Sequence, residues 1–379
     1  MADALILCPE APYPVAGGGP LRTACMVEYL ASRYELDVIA FREPGAPDPR
    51  AAFPLGLFRN FAVIDLPYHS KQPHARVLRN AGRLLRNAPP LVDRFAGFDL
   101  QIRGNYDVAV IEHFWCAPYV DRLREHCDRI VLNLHNVESV LLERCAATES
   151  AMGGAALRRF ARACARLERE LLPKFDELLV CSESDRRRIG RGTVWPNAIG
   201  FVSQSRAPKR NAIVFSGNMA YHPNAAAVQY FAAEIWPLIR ENEPGIVWEL
   251  IGKNPESLRL PPDPRIRIVG PVGDAIAALA GARVAVVPIL SGSGTRFKIL
   301  EAWAAGVPVV STTLGAEGLE IVDGEHLLIG DDPRSFADAV KALLKNESVA
   351  NRIGHSGRQL YESRYTWPVA WKILQAAGL

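Results

Sequence analysis

The sequence predicts an α/β chain folded as two parallel-sheet domains, and three observations carry that expectation. Short apolar, β-branched runs alternate with helical stretches along the whole chain, the pattern of parallel sheets with helices on both faces. These runs are apolar at nearly every position, as in strands covered on both sides. One polar segment without apolar periodicity, Ala198–Arg210, divides the 379 residues into two similar halves, each long enough for a domain of its own.

In chain order, Ala4–Cys8 reads as the first strand, with a Pro/Gly-rich loop after it. Leu21–Arg33 is an expected helix and Leu36–Phe41 the second strand, and Gly45–Arg50 is a polar, proline-rich connection. Val108–Glu112 and Ile130–Leu134 are short apolar strands, with a helix expected over Pro118–Cys127 between them. Ala151–Phe175 has helical periodicity, and Leu178–Cys181 and Thr193–Asn197 complete the first domain's strands. The second domain restarts at Ala212–Gly217 and continues with a helix over Pro223–Arg240. Its remaining strands are Val247–Ile251, Ile266–Val269, Val284–Pro288, Val307–Ser311 and Leu327–Ile329.

A hydrophobic share of 49% against 22% charged residues describes an ordinary globular protein. The net charge of +3 is too small to imply nucleic-acid binding. No apolar run reaches the roughly 18 residues of a membrane-spanning helix. The opening MADALILCPEAPYP lacks a basic stretch ahead of its short apolar one, so it reads as a strand and not a signal peptide. Seven scattered cysteines, none in a CxxC pair, support neither a zinc site nor a disulfide framework. A reducing cytoplasm fits these features.

The most informative stretch is Ala282–Ser311, ARVAVVPILSGSGTRFKILEAWAAGVPVVS. It reads as strand, glycine-rich loop, helix, helix stop and second strand. Ser291-Gly292-Ser293-Gly294 removes side chains where the backbone turns, Thr295 is the expected N-cap, and Gly306 closes the helix ahead of Pro308. The first helical turn offers unpaired N–H groups and the positive dipole end, and it carries Arg296 and Lys298. That makes an anion site at the C-terminal edge of a parallel sheet, where open α/β folds bind ligands. It is neither a P-loop nor GxGxxG: no Gly-Lys-Ser/Thr follows the glycines, and Phe297 stands at the third glycine position. Glu301, one turn on, is placed to accept both hydroxyls of a ribose whose diphosphate sits at the helix start. Its bland alternative is an intrahelical pair with Lys298.

With Glu301 followed by AxAAGxPVV, the segment resembles the nucleotide-sugar site of glycosyltransferases with the GT-B fold, specifically the retaining family 4 group (glycosyl transferases group 1). The resemblance implies two Rossmann-like parallel-sheet domains facing an interdomain cleft. The acceptor domain would span residues 1–197, the nucleotide-sugar donor domain 198–356, and a terminal helix within 357–379 would cross back to the first domain. It also implies a nucleoside-diphosphate sugar as substrate and no cofactor. Where most of the family has a glutamate touching the sugar ring, this chain has Ser293.

Gly17-Gly18-Gly19 follow the first strand and let a backbone approach a ligand closely. The resemblance puts Gly18 and Gly19 at the cleft, shaping donor and acceptor sites. His113, just past DVAVIE, matches the histidine that the family places near the sugar, and it is our candidate catalytic residue. His135, ending the next strand in VLNLHNVES, has the same positional argument for the cleft. Gly217-Asn218, ending IVFSG, resemble the backbone that approaches the donor diphosphate, but NMAYHPN lacks the Arg and Lys many relatives carry there. Phosphate charge then falls to Arg296, Lys298 and helix-start N–H groups, aided by Lys253, while Pro196-Asn197 resembles the family's hinge.

Arg76, Arg79, Arg83 and Arg86 share one helical face, with Val77, Leu78, Ala81, Leu84 and Leu85 largely on others. Such a segment is either a solvated surface helix or a contact to an anionic membrane surface that carries a lipid-linked acceptor. The arginines of Arg158–Arg169, interleaved with Glu168 and Glu170, read as a salt-bridged helix. Neither stretch has the aromatic interleaving of a nucleic-acid platform.

The expectation is a cytoplasmic GT-B enzyme, peripheral at the inner membrane face if the arginine helix docks there. It would move a sugar from a nucleoside diphosphate to an unassigned acceptor hydroxyl, and retention at the anomeric carbon comes from the family alone. No Asp-x-Asp or His/carboxylate cluster would hold a metal. The alternatives are a nucleotide-sugar epimerase on the same architecture, which needs a carboxylate pair the sequence does not offer, and a non-catalytic two-lobed ligand-binding protein.

Overall fold

The structure, a computed structural model, describes residues 2–15, 17–70, 72–203, 207–292 and 296–379. The chain divides into two compact units, Met1–Pro196 with Trp371–Leu379, and Asn197–Ala370. In the first unit the elements are β1 (Ala2–Cys8), α1 (Gly18–Ala31), β2 (Tyr34–Arg42), β3 (Asn60–Asp65), α2 (Pro73–Arg86), α3 (Pro90–Phe95), β4 (Tyr106–Glu112) and α4 (Val120–Arg124). They continue with β5 (Cys127–Asn133), α5 (Glu138–Ala147), α6 (Ala151–Leu171), β6 (Glu177–Val180), α7 (Glu183–Ile189) and β7 (Thr193–Val194). The strands form one parallel sheet in the order β3-β2-β1-β4-β5-β6-β7. Its central strands are buried on both faces, which is why they read as unbroken apolar runs.

The second unit runs β8 (Ala212–Ser216), α8 (His222–Tyr230), α9 (Trp236–Arg240), β9 (Val247–Ile251), β10 (Ile266–Gly270), α10 (Ala275–Leu279), β11 (Val284–Val287) and α11 (Phe297–Ala304). After these come β12 (Val309–Ser311), β13 (Leu328–Ile329), α12 (Pro333–Lys345) and α13 (Glu347–Arg364), and α14 (Trp367–Ala376) runs from the second unit into the first. Its sheet is also parallel, in the order β10-β9-β8-β11-β12-β13. The order reverses between β1 and β4 in one sheet and between β8 and β11 in the other. Those switch points open crevices at the carboxyl ends of the strands.

Several expectations shift for local reasons. The helix expected over Pro118–Cys127 is a 3₁₀ segment, Phe114–Tyr119, followed by the short α4. The strand Thr193–Asn197 stops at Val194, since Pro196 has no N–H to give a ladder. The helix Pro223–Arg240 is interrupted by a wide turn over Phe231–Ile235, just ahead of Pro237, which cannot continue the i→i−4 pattern. β3 escaped the sequence reading because its residues are only half-buried and lack a clear period.

The arginine-rich segments also pack differently from expectation. On α2 the arginine face is split: Arg83 is buried with Nε 2.8 Å from Asp93 Oδ2, whereas Arg86, itself exposed, reaches the other oxygen of Asp93 at 3.0 Å and Arg76 stays exposed. Arg79 donates to the Ser70 carbonyl. The apolar side is the one left outside, with Val77, Leu78 and Leu85 66%, 72% and 82% exposed. On α6, Glu168 pairs with no neighbouring arginine. It accepts from the Ser139 N–H and hydroxyl at the start of α5.

The chain end returns to the first unit. Trp371 Nε1 donates to the Cys25 carbonyl, and Tyr29 Oη donates to the Leu379 carbonyl.

Candidate functional site

In the second unit, the ends of β8 and β9 press together with no room for side chains. A Cβ on Gly252 would lie 1.8 Å from the Gly217 oxygen, and one on Gly217 would lie 2.7 Å from Asn224 Nδ2. Asn224, in the first turn of α8, holds the loop by donating to the Asn218 carbonyl at 2.9 Å. Asn218 itself is exposed, and its Oδ1 accepts from Ala220 N and Asn254 Nδ2. Lys253 is exposed beside them, and its carbonyl accepts the Met219 N–H.

Across the switch point lies the start of α11. Ser293, Gly294 and Thr295 fall outside the described residues. The N-cap position is held by Arg296, whose side chain makes no cap bond, and the helix begins at Phe297, a displacement from the expected Thr295 cap. The Arg296 guanidinium is buried over Gly292, where a Cβ would come within 2.8 Å of its NH2. Gly292 has φ +113°, so a side chain there is excluded twice.

Lys298 does not form the intrahelical pair with Glu301. Its Nζ donates to Asn224 Oδ1 at 2.7 Å and sits 5.0 Å from the centre of the Phe215 ring. Burial and then Arg296 push its ammonium down to about 7, against the pull of Glu301. Burial raises Glu301 in turn, while Lys298 and a hydrogen bond from Ser216 pull it back. One loop, two cationic side chains and a half-buried carboxylate thus converge at the β8/β11 crevice.

The first unit builds a second polar centre at its own switch point. α1 begins at Gly18, three residues earlier than the expected Leu21, with Gly17 as its N-cap. A Cβ on Gly19 would come within 2.6 Å of Glu10 Oε1 and 3.6 Å of His113 Nε2. Without a side chain, the glycine lets the start of α1 lie close to Glu10 and the imidazole. His113 follows β4 with φ +64°, a strained value for a non-glycine residue. Its ring stacks 3.5 Å from His135 and 4.1 Å from Trp115 between centroids.

His135 binds Glu112 Oε2 at 2.6 Å, and Thr23 and Asn133 donate to the same carboxyl at 3.0 Å. Arg22 then ties Asn133 Oδ1 to the Trp195 carbonyl and lies over the Trp195 ring. Burial holds Glu112 above the ordinary carboxylate range, and its donors oppose that rise. Burial also keeps both imidazoles neutral, reinforced by His135 and Arg22 around His113 and by Arg22 around His135. The pattern suits a carboxylate receiving three donors, with His135 carrying its proton on Nε2.

With this geometry in view, comparison with known proteins places the second unit. Residues 210–346 match the family described as glycosyl transferases group 1. The matched segment contains Gly217, Asn224, Arg296, Lys298 and Glu301. Over 108 residues, 27% of this chain and 29% of its relative, the sequence is 38% identical to phosphatidyl-myo-inositol mannosyltransferase of Mycobacterium leprae. Sucrose-phosphate synthase of Thermosynechococcus elongatus superposes with a TM-score of 0.71 at 17% identity, covering 99% of this chain and 98% of that one. HepE of Anabaena, solved in complex with UDP-glucose, gives 0.66 at 11% identity with 99% of each chain covered. The fold is GT-B, as expected, with two parallel-sheet α/β units.

Asn224, Ser216, Glu112, Asn133 and Arg22 belong to these centres and were not singled out in the sequence. Glu112 left a signal, a carboxylate ending the otherwise apolar run VAVIE. Asn224 left none, because its role exists only once α8 and α11 meet.

Proposed function

We propose that this chain is a glycosyltransferase that holds a nucleoside-diphosphate sugar in its second unit and passes the sugar to an acceptor hydroxyl with retention, as in the family 4 group. The observation that carries this reading is the pairing of buried Arg296 with half-buried Lys298 at the start of α11, inside the matched segment. Arg296, Lys298 and the first N–H groups of α11 meet the diphosphate, Glu301 takes the ribose hydroxyls, and the Gly217-Asn218 backbone lies along the donor. Ser293, Gly294 and Thr295 belong to the same loop by sequence. Gly18, Gly19, His113 and His135 serve the sugar and the acceptor in the first unit. Related folds solved with UDP or UDP-glucose support such a donor.

Chemically, the demanding step is departure of the nucleoside diphosphate as negative charge develops on it. Preorganised N–H donors and two cationic side chains stabilise that charge where it forms. With retention, the leaving phosphate is itself the base for the incoming hydroxyl, and no resident cofactor or metal is invoked. Among the described residues no three His, Cys, Asp or Glu side chains are grouped to hold a metal.

The test is incubation with common nucleotide sugars, without acceptor, read by mass spectrometry. We expect slow release of one nucleoside diphosphate, unaffected by EDTA, and thermal stabilisation by that diphosphate alone. Interconversion of the bound sugar without release would favour an epimerase. Stabilisation by free sugar only would favour a two-lobed binding protein.

We place this enzyme in the cytoplasm at a membrane surface carrying a lipid-linked acceptor. Among the described residues no helix is long and apolar enough to cross a membrane. What favours surface contact is the exposed stripe of Val77, Leu78 and Leu85, with Arg76 and Arg86 beside it. Apolar residues would enter the headgroup boundary while each flanking arginine adds about 1 kcal/mol near anionic lipid. Leu78→Gln with Leu85→Gln is expected to abolish co-sedimentation with anionic vesicles. Equal partitioning of variant and wild type would end the membrane reading. A fourfold arginine variant is the poorer probe, since it also breaks the pairs to Asp93.

A further inference from the structure

Three neighbouring polar side chains in the first unit keep buried atoms without a hydrogen-bond partner among the described residues: both ring nitrogens of His113, Nε1 of Trp115 and Oε1 of Glu138. His113 and Glu138 are each only 4% exposed. Buried polar atoms are nearly always satisfied, and leaving several unsatisfied side by side is costly. We propose that Glu138, Trp115 and His113 form a subsite at the carboxyl edge of the first sheet that binds the hydroxyl groups of a sugar ring. The subsite rests on the glycosyltransferase reading and extends it to residues outside the diphosphate site.

Position and chemistry both support the assignment. His113 follows β4 and Glu138 opens α5 just beyond β5, so adjacent strands deliver them to one edge. The Trp115 ring stacks on His113, and its indole N–H lies beside the Glu138 carboxyl without completing a bond to it. Gly19 lies against the far side of His113 with no side chain between them. The ionisable groups acting on Glu138 come from α6: Glu168, held by Ser139, and Cys164. No cation pairs with Glu138 among the described residues.

Burial, with Glu168 adding to it and Trp115 opposing, pushes the Glu138 carboxyl up to about 8. At neutral pH it therefore holds its proton and can both donate and accept. An uncharged acid, a neutral imidazole and an indole N–H match hydroxyls, which also donate and accept, better than they match an ion. The indole ring adds an apolar face.

The experiment titrates wild type, Glu138→Gln and Glu138→Leu with glucose, galactose, mannose and N-acetylglucosamine, by NMR saturation transfer and calorimetry, at pH values on both sides of 8. At least one sugar is expected to bind wild type and Glu138→Gln alike at neutral pH. Wild-type affinity should fall as pH rises through about 8, where the acid loses its proton, and Glu138→Gln should stay flat. Glu138→Leu should lose about tenfold in affinity or more without a lower melting temperature, since it replaces a buried acid that pairs with no cation among the described residues by an apolar group of similar size. A merely structural Glu138 would instead lower the melting temperature and leave sugar affinity unchanged. Equal affinity in wild type and Glu138→Leu, or no binding of any of the four sugars, overturns the subsite. Nucleoside-diphosphate binding, followed in the same samples, reports on the function reading independently.

Discussion

Alanine at Arg296 or at Lys298 is expected to lower kcat/KM roughly a hundredfold to a thousandfold, about 2–4 kcal/mol of transition-state stabilisation. Each side chain is a charged donor already held in place. Arg296 is locked over Gly292, and Lys298 is tied to Asn224 Oδ1. Neither needs to reorganise as charge moves onto the leaving diphosphate. Loss of the Lys298–Asn224 bond costs only about 1 kcal/mol of folding stability, so melting curves separate a failed site from a failed fold. Near-normal kcat/KM in both single variants would remove the diphosphate assignment.

The same pair gives a pH signature with a definite sign. Lys298 titrates at about 7 because burial and Arg296 disfavour its cation. A diphosphate favours the cation, so above pH 7 binding must take up a proton and affinity falls, by up to about tenfold per pH unit. A nucleotide sugar is the right ligand for this test, since its diphosphate has no ionisation near neutrality. Lys298→Met should flatten the profile. Arg296→Ala removes one cause of the depression and should move the decline to higher pH. A flat wild-type profile between neutral and alkaline pH would mean that Lys298 does not meet the phosphates.

Most of the fold was legible because strands buried on both faces read as apolar runs, and β3, half-buried, was the strand that escaped. The candidate helix-start site could be proposed from sequence for a similar reason, since loop, glycines and first-turn charges are contiguous from Ser291 to Glu301. What depends on contact between distant elements was not. The Lys298–Asn224 bond joins residues 74 apart, and nothing local to MAYHPN announces it. Periodicity on α2 gave the arginine face correctly but not its direction. Asp93, on the next helix, draws Arg83 inward while Arg86 pairs with it from the surface, and a paired buried arginine is cheaper than an unpaired one. The polar centre around Glu112 needed β1, β4 and β5 side by side, and only the lone carboxylate in VAVIE hinted at it.

That centre carries the largest expected effect on stability. Glu112→Ala is expected to destabilise the first unit by about 3–5 kcal/mol, the scale for removing one member of a buried, hydrogen-bonded charged cluster. Glu112 is fully buried and receives Thr23, Asn133 and His135. Its loss would strand three donors away from water, each at a cost of about 1–3 kcal/mol before relaxation. Asn133 also anchors Arg22, which reaches the Trp195 carbonyl, so the damage should spread to the end of β7. Glu43→Ala is the matched control. Glu43 is exposed and pairs with Arg94, which keeps the Pro67 carbonyl as a partner when Glu43 is lost, so this solvent-facing bridge is worth about 1 kcal/mol or less. Denaturant unfolding followed by tryptophan fluorescence should show a large fall in midpoint for Glu112→Ala and almost none for the control. Nucleotide binding by the folded fraction should be retained, because the proposed diphosphate site lies in the other unit. If Glu112→Ala moves the midpoint no further than Glu43→Ala, the cluster adds little to stability, and the strain at His113 must be held by the ring stack with His135 and Trp115 alone.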